Sequence, residues 1–372
     1  MKNIKFVDLF AGNKHLLTEF LNSARAVFQS GNYILGDCVD RFERNVKTFL
    51  NAKHFVSCAN GTDALILSLK CCGVKPGDEV LVTPMSYLAS VSCVKIVGAN
   101  PVFCDVDEKC NINPKSIINK INKKTKAIIV VHLGGIPAQI KAILKVLKEH
   151  KGIYVIEDCA QAFGSYVENR HVGTFGDFGC FSFHPLKTLG GLGDGGGIIV
   201  KSISHYRYLM RARNHGHIDR NDCSFFSQNS RLDEIQAAFL TRLLKEIKFR
   251  LKQRRKQVYM YLEYMQELVN NGKIVPILPY RKSISSFNFF MIMTLKRDEL
   301  KTYLSRRGID CRVHYPILLN KLSAFNGQMK NLPLPNAQAN VRKILSLPLG
   351  RHIRRDDIKR ISFDTIKLLK KQ

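Results

Sequence analysis

The chain has 372 residues, 45% of them hydrophobic and 24% charged, which excludes a disordered protein and predicts two domains or one large domain with a smaller companion. Its 58 lysines and arginines outnumber its 30 acidic residues and give a net charge of +28. Because these cations are spread along the chain and form no single stripe, we expect them to attract an anionic substrate and not a nucleic acid.

Cysteine spacing and apolar runs narrow the class further. The eleven cysteines show neither a CxxC pair nor any spacing typical of zinc ligands, so we expect reduced thiols and no metal site. The start, MKNIKFVDLF, lacks a sustained apolar segment, and the longest apolar runs are too short to span a membrane. These features predict a cytoplasmic protein that does not bind membranes.

The N-terminal part contains a candidate phosphate site. Residues 1–30 and 38–52 carry apolar positions at helical spacing, which predicts two helices. The stretch HFVSCANGTDALILSL then indicates a strand, a turn at Asn60-Gly61 and a helix that opens at Thr62-Asp63. Such a helix N-terminus offers unpaired N–H groups to a phosphate, which Gly61 would let approach closely. In the simpler interpretation, Thr62 or Asp63 only caps the helix.

Strands and helices alternate at short intervals up to the run IYVIED, which ends at Asp158. This alternation predicts an α/β fold with a mostly parallel sheet, helices on both faces, and ligands at the carboxyl ends of the strands. Tyr87, His132, Asp158 and the Asn60-Gly61 turn all fall at such ends. Tyr87 could stack on a cofactor ring, although a core aromatic is an equally good interpretation.

Lys187 is the centre of the candidate chemistry, because it follows Asp158 by 29 residues and lies in the setting SFHPLKT. Pyridoxal phosphate needs an amine that binds its aldehyde, a carboxylate that keeps its ring nitrogen protonated, and donors for its phosphate. The following run GGLGDGGG contains a formal G-x-G-x-x-G match. A strand follows it where a dinucleotide fingerprint requires a helix, so we expect a flexible loop.

The C-terminal part of the sequence predicts a second unit. A long helix should begin after an N-cap-like Asn229-Ser230 pair and continue through the basic run KFRLKQRRK. Strands near IVPILP and FNFFMIMTL and two further helices indicate a small α+β domain. We expect a large cofactor-binding domain at residues 1–245, including the N-terminal helical segment, and a small domain at residues 246–372.

Several motifs together resemble one known family. They are CANGTDALILSL, PVFCDVD, AIIVVHLGGIPA, VIEDCAQAFGS, GDFGCFSFHPLKTLGGLGDGG, RNHG, NSRLDEIQAA and VHYP. In this order they are similar to the DegT/DnrJ/EryC1/StrS family of pyridoxal-phosphate-dependent sugar aminotransferases. The resemblance covers most of the chain and implies a fold-type I transferase with a smaller C-terminal α+β domain. It also implies a homodimer with active sites at the subunit interface.

The resemblance assigns roles around the cofactor ring. Lys187 would bind the cofactor aldehyde and later move a proton between the substrate carbon and the cofactor, and Asp158 would pair with the ring nitrogen. Gln161 would lie beside the ring, and Tyr87 would stack on its opposite face. For Lys187 to act near neutral pH, its pKa must be lowered, which desolvation can achieve.

The same resemblance assigns the phosphate and substrate contacts. The phosphate would be held by Gly61, Thr62 and Ser182, joined by Asn229 of the partner subunit. We expect the substrate to be contacted by His132, Arg231 and His314.

The implied reaction is a ping-pong transfer in which L-glutamate gives its amino group through the cofactor to a nucleotide-linked keto sugar. The loop LGGLGDGG is more similar to relatives acting at C3 or C2 than to those acting at C4, which favours a 3-keto-6-deoxyhexose. We expect the product to serve surface-glycan or related amino-sugar biosynthesis. Two alternatives remain: a fold-type I enzyme acting on a non-nucleotide ketone, and a basic binding or regulatory protein without chemistry.

Overall fold

A seven-stranded sheet forms the centre of residues 3–370, the part of the chain that the computed structural model describes. The strands are β1 (His54–Cys58), β2 (Glu79–Val82), β3 (Asn100–Phe103), β4 (Thr125–Val131), β5 (Tyr154–Asp158), β6 (Tyr166–Val167), β7 (Arg170–His171), β8 (Phe178–Ser182), β9 (Gly196–Val200), β10 (Val275–Pro276), β11 (Ser283–Ile284), β12 (Phe290–Met293) and β13 (Ile344–Leu347). The central order is β1-β9-β8-β5-β4-β2-β3, and only β9 runs against the others. The sequence predicted this mostly parallel sheet.

Helices cover both faces of the sheet. They are α1 (Leu9–Asn13), α2 (Leu17–Ser30), α3 (Asp37–Leu50), α4 (Gly61–Cys71), α5 (Ala89–Ile96), α6 (Pro114–Ile118), α7 (Ile140–Leu147), α8 (Ile203–Ala212), α9 (Glu234–Lys245), α10 (Ile247–Tyr264), α11 (Gln266–Asn270), α12 (Arg297–Arg306), α13 (Pro335–Asn340) and α14 (Arg355–Lys370). Residues of α4, α5 and α8 belong to one apolar core, and residues of α3, α7 and α9 belong to another.

Strand β4 shows why the sheet is buried on both sides. Ala127, Ile129 and Val131 contribute to the first core, while Ile128 and Val130 contribute to the second. Successive side chains of a strand point to opposite faces, so a continuous apolar run serves two cores. This burial leaves the carboxyl ends of the parallel strands as the place where polar groups collect.

The helix after the first turn begins earlier than the sequence predicted. α4 starts at Gly61, and its N-cap is Asn60, whose Oδ1 accepts a hydrogen bond from the Asp63 amide at 2.8 Å. The simpler interpretation, in which Thr62 or Asp63 caps the helix, is therefore wrong. Asn60 can take this role because its backbone is extended and its side chain reaches back to the third amide of the helix.

The predicted long helix is also divided and begins later. α9 starts at Glu234, because Ser230 donates its hydroxyl to Asp63 Oδ2 at 2.7 Å and Asn229 forms a backbone bridge with Asn214. Glu246 then interrupts the helix between α9 and α10. The Glu246 carboxylate collects ion pairs from neighbouring arginines, including Arg351 at 2.9 Å.

A small antiparallel sheet, β10-β12-β13, lies in the C-terminal part and packs with α10, α12 and α14. It is the α+β unit that the sequence predicted. Its apolar residues continue the core of the central sheet without a break. The division into residues 1–245 and 246–372 stays a prediction.

The described chain also bears on the predicted environment of the protein. No helix within residues 3–370 combines the length and the apolar character needed to cross a bilayer. All eleven cysteines are free thiols, and burial raises the pKa of Cys71 to about 12. Thiols of this kind act as small core side chains.

Candidate active site

Asp158 ends β5 at the carboxyl edge of the central sheet. It is 7% exposed, and its two oxygens have different partners. Ser90 donates its hydroxyl to Oδ2 at 2.9 Å, and the Ala160 amide donates to Oδ1 at 3.1 Å. These two hydrogen bonds fix the carboxylate and leave it capacity for a ligand. Sequence reasoning missed Ser90, although a serine on the inner face of α5 was the available signal.

Lys187 lies on the loop that follows β8, and its amide donates to the carbonyl of His184 at 2.8 Å. Burial lowers the pKa of the Lys187 ammonium, while the negative charge of Asp158 acts in the opposite direction. A lysine in this setting is deprotonated more easily than one in water. The pair combines a nucleophilic amine with a carboxylate at one edge of the sheet.

Gly61 and Ser182 meet at the start of α4. A Cβ atom on Gly61 would lie only 2.7 Å from Ser182 Cβ, so no larger residue fits without displacing the strand end. The Asn60 side chain takes the third amide of the helix, which leaves the Gly61 and Thr62 amides for another acceptor. The structure therefore brings together the three residues of this chain that were predicted to hold a phosphate.

Gln161 joins the sheet edge to the C-terminal part. Its Oε1 accepts from the Gly134 amide at 2.6 Å, and its Nε2 donates to the Tyr315 hydroxyl at 2.6 Å. Burial raises the pKa of Tyr315, which stays a neutral phenol. Sequence reasoning missed Tyr315, although it lies in the quoted VHYP motif beside His314.

His314 lies near Lys187. Its ring stacks on Phe289 with centroids 3.8 Å apart, and Nδ1 contacts the Ser346 hydroxyl at 2.9 Å. Burial, together with the positive charges of Arg312 and Lys187, lowers the pKa of His314 to about 4. The ring is therefore neutral at physiological pH. Its contact with substrate stays a prediction.

Three predicted residues are not fully buried. Tyr87 is 64% exposed just before α5, and Asn229 is exposed at the base of a surface hairpin. Arg231 donates through Nη1 to Asn214 Oδ1 at 3.0 Å. Their predicted contacts with cofactor and substrate stay predictions.

The position of His132 in the structure contradicts its predicted contact with substrate. The side chain is fully buried, its Nδ1 accepts from the Ala138 amide at 2.9 Å, and its Nε2 lies 3.1 Å from Glu157 Oε2. Both ring nitrogens therefore serve the protein itself. Cys159 lies close to this pair, but ring nitrogens that are engaged in this way offer a metal ion no ready lone pair. We assign His132 a structural role instead.

The comparisons with known proteins agree with this geometry. The sequence profile of the DegT/DnrJ/EryC1/StrS aminotransferase family matches residues 15–365. The chain belongs to this family. A protein of Acidithiobacillus ferrooxidans named UDP-N-acetyl-3-dehydro-alpha-D-glucosamine 3-aminotransferase is 37% identical over 360 residues, 96% of each chain. A Geobacillus stearothermophilus protein named pleiotropic regulatory protein is 35% identical over 353 residues, 93% of each chain.

The fold has a solved counterpart as well. The crystal structure of S. venezuelae DesV in complex with a ketimine intermediate has a TM-score of 0.95 at 32% identity, with all of both chains covered. The chain is thus an aminotransferase that uses pyridoxal phosphate. The predicted family, fold-type I class, enzyme class and cofactor are confirmed.

The residues present fit pyridoxal phosphate. Lys187 supplies an amine whose pKa is lowered, Asp158 supplies a fixed carboxylate, and the Gly61-Ser182 contact shapes a place for the phosphate at the N-terminus of α4. The three requirements are met at one edge of the central sheet.

Proposed function

We propose that the chain transfers the amino group of L-glutamate to the carbonyl carbon of a nucleotide-linked keto sugar. The observation that carries this proposal is the convergence of Lys187, Asp158 and the N-terminus of α4 at the carboxyl edge of the sheet. The family, the names of its nucleotide-sugar relatives and the net charge of +28 support an anionic sugar substrate.

Each residue of the site then has a task. Bound pyridoxal phosphate supplies an aldehyde for the amine and a ring that accepts electrons. The Nζ of Lys187 would hold the cofactor and would take and return a proton at the substrate carbon. Asp158 holds a proton on the ring nitrogen, and Ser90 and Ala160 keep its two oxygens in place.

The remaining assignments concern the phosphate and the ring faces. Backbone amides of Gly61 and Thr62 and the Ser182 hydroxyl bind the phosphate as neutral donors at a positive helix end. Gln161, held by Gly134 and Tyr315, would lie beside the ring. Tyr87 would cover the other face, which its exposed position before α5 allows. Arg231 and His314 contact the sugar nucleotide.

We further propose a cytoplasmic homodimer in which Asn229 completes the phosphate site of the partner subunit. The exposure of Asn229 and of apolar residues on α2, such as Phe28 at 75%, supports a covered surface in the assembly. Mixing the Lys187→Ala and Asn229→Ala variants tests this idea, because only a shared site lets a mixed dimer regain activity. Failure to regain activity in proven mixed dimers would contradict it.

The favoured acceptor is a 3-keto-6-deoxyhexose, for surface-glycan or related amino-sugar biosynthesis. Support comes from the LGGLGDGG loop beside Lys187 and from the Acidithiobacillus relative, whose name specifies a 3-aminotransferase. In this loop the Leu192 amide donates to Gln236 Oε1 at 3.0 Å, which ties the loop to α9.

A substrate panel tests the proposal. The purified holoenzyme is incubated with L-glutamate and with nucleotide sugars that carry a 2-, 3- or 4-keto group. The products are identified by mass spectrometry. We expect amino-sugar product from a 3-keto substrate and none with the Lys187→Ala control. Product from free ketones alone would favour another fold-type I activity and contradict the nucleotide-sugar assignment.

A further inference from the structure

A cavity of about 90 Å³ opens beside Lys187. Its walls include the N-terminal segment Phe6–Leu9, the start of the loop at Pro185, part of α10, and the turn at Gly350. Two polar side chains in these walls are Arg254, whose hydrogen bonds to described residues all leave from Nη1, and Asn288, whose buried Nδ2 has no partner among them. The cavity is therefore both next to the reacting lysine and prepared for a ligand.

Arg254 is a half-buried cation without an acidic partner. Its Nη1 donates to the carbonyls of Phe287 and Asn288 at 3.1 and 3.4 Å, and no Asp or Glu of residues 3–370 forms an ion pair with it. Burial and the nearby charge of Arg250 lower the pKa of Arg254 to about 10, so it remains positive at neutral pH. A charge that is partly withdrawn from water and has no acidic partner is costly unless a ligand balances it.

Arg250, one helical turn earlier, shows the contrast. It lines the same cavity but forms an ion pair with Glu246 at 3.5 Å and donates to Asn13 at 2.8 Å. Arg250 therefore has an acidic partner, which it shares with Arg242 and Arg351, and its buried Nε has no partner among the described residues. The acidic residue in the cavity wall, Asp8, is likewise engaged, by Lys5 at 3.1 Å and by the Ala11 amide at 2.9 Å.

Asn288 supplies the second free donor. The side chain is only 4% exposed, and its Oδ1 accepts from Thr188, the residue after Lys187, at 3.2 Å. Its Nδ2 is buried and has no acceptor among the described residues. Unpaired buried amides of this kind are rare and indicate a partner outside the chain.

The backbone before Asn288 is strained in a way that fits a binding site. Phe287 has a φ of +48°, a left-handed conformation that is unusual for an aromatic residue. Arg254 holds its carbonyl, and Ser285 Oγ accepts from its amide at 2.9 Å. The protein thus stabilises a costly turn that places Asn288 and Arg254 in the wall of one cavity.

We propose that Arg254 and Asn288 bind a carboxylate of the amino donor, which makes this cavity the donor subsite. The inference rests on the proposed function, because it takes L-glutamate as the donor. A cavity of about 90 Å³ suits a small dicarboxylate, whereas ligands of drug size occupy several hundred Å³. The guanidinium and the amide N–H supply the charge and the direction that a carboxylate needs.

Calorimetric titration of glutarate into the pyridoxal-phosphate-loaded enzyme tests the subsite, because glutarate has the two carboxylates of glutamate but no amine to react. We expect Arg254→Gln to weaken glutarate binding at least about ten-fold and Asn288→Ala about five-fold. Asn288→Asp, which leaves Arg254 in place, should weaken it more than Asn288→Ala by repulsion. Lys252→Gln is the matched control, because it removes a positive charge from an exposed position of α10 outside the cavity wall, and it should change binding less than about two-fold.

Cofactor content and thermal unfolding are measured for each variant, so a loss of binding is read only in folded holoenzyme. Unchanged glutarate affinity in both Arg254→Gln and Asn288→Asp would overturn the subsite. Tighter binding of inorganic phosphate than of glutarate, lost in Arg254→Gln, would overturn the carboxylate assignment. Arg254-dependent glutarate binding without any amino-sugar product would support the subsite and refute the proposed acceptor.

Discussion

Glu157 and Asp158 are consecutive carboxylates at the end of β5, and they differ in how completely the protein uses them. Glu157 is fully buried; its Oε1 accepts from the Phe175 and Gly176 amides at 2.8 and 2.7 Å. Its Oε2 accepts from the Gly173 amide at 2.9 Å and contacts His132 at 3.1 Å. Asp158 has two donors and lies near Lys187.

The difference gives Glu157 a structural role and Asp158 a chemical one. Successive residues of a strand face opposite sides of the sheet, so one register places a saturated carboxylate on one side and an unsaturated one on the other. The hydrogen bonds that Glu157 accepts hold the loop after β7 in place, and they leave its carboxylate no capacity for a ligand. We therefore expect changes at Glu157 to affect stability and changes near Asp158 to affect catalysis.

Lys187→Ala should have the largest effect, and this effect should be on activity and not on stability. The variant loses the amine that holds the cofactor and moves the proton, so we expect kcat to fall by at least about a thousand-fold. Stability should change little or rise, because a partly desolvated ammonium is removed. Steady-state assays and urea unfolding measure the two effects. Retained turnover with glutamate would refute the assignment of Lys187.

Glu157→Gln should give the converse result. Its amide NH2 would face the Gly173 and His132 N–H donors and leave them unpaired, which costs about 1–3 kcal/mol of unfolding free energy for each. Activity per folded molecule should stay within about three-fold of wild type. Urea unfolding with cofactor quantification measures both. A stable but inactive variant would contradict the division between the two carboxylates.

The pH dependence of the same variant follows from the sign of the Glu157 shift. Burial alone would raise the pKa of Glu157, but hydrogen bonds from His132 and the Gly176 and Gly173 amides hold it below its ordinary value of 4.5. Its contribution to stability is therefore complete above pH 4.5 and is lost as pH falls through the lower folded pKa. The stability gap between wild type and Glu157→Gln should narrow in that acid range.

Asp158→Asn should have the next largest effect, and it should again lower kcat. A neutral amide cannot hold a proton on the ring nitrogen, so we expect kcat to fall by about a hundred- to a thousand-fold. The Ser90 and Ala160 contacts can largely persist, and unfolding should shift by less than about 1 kcal/mol. The change in the cofactor's absorbance with pH provides a second measurement. Wild-type turnover in this variant would remove Asp158 from the proposed mechanism.

Sequence reasoning reached the parts of this site that lie on regular elements. The alternation of strands and helices predicted the sheet, and the carboxyl ends of β5 and β8 therefore placed Asp158 and Ser182 at one edge. Gly61 was found because a helix opens directly after a strand. The local sequence pattern was sufficient for those residues whose position depends on the order of the strands.

Sequence reasoning failed where long-range contacts decide the role of a residue. His132 occupies a strand end like Asp158, but its ring is enclosed by Ala138 and Glu157, which no spacing in the sequence indicates. Nothing in the basic run KFRLKQRRK distinguishes Arg254 from its neighbours, yet the turn at Phe287, more than thirty residues away, accepts its hydrogen bond and covers part of it. Burial of this kind depends on the C-terminal part folding back onto the sheet edge.

Ser90→Ala should have the smallest effect and sharpen the comparison most, because Ser90 is as buried as Glu157 but serves Asp158. Removing its hydroxyl takes one donor from Oδ2 and costs about 1 kcal/mol, which should lower kcat about five-fold. Ser68→Ala is the matched control, since that serine is equally buried but donates to the Ala64 carbonyl of its own helix. It should shift unfolding by a similar amount while leaving kcat unchanged. Equal kcat losses in both variants would mean that packing near the sheet edge, and not the hydrogen bond to Asp158, limits the reaction.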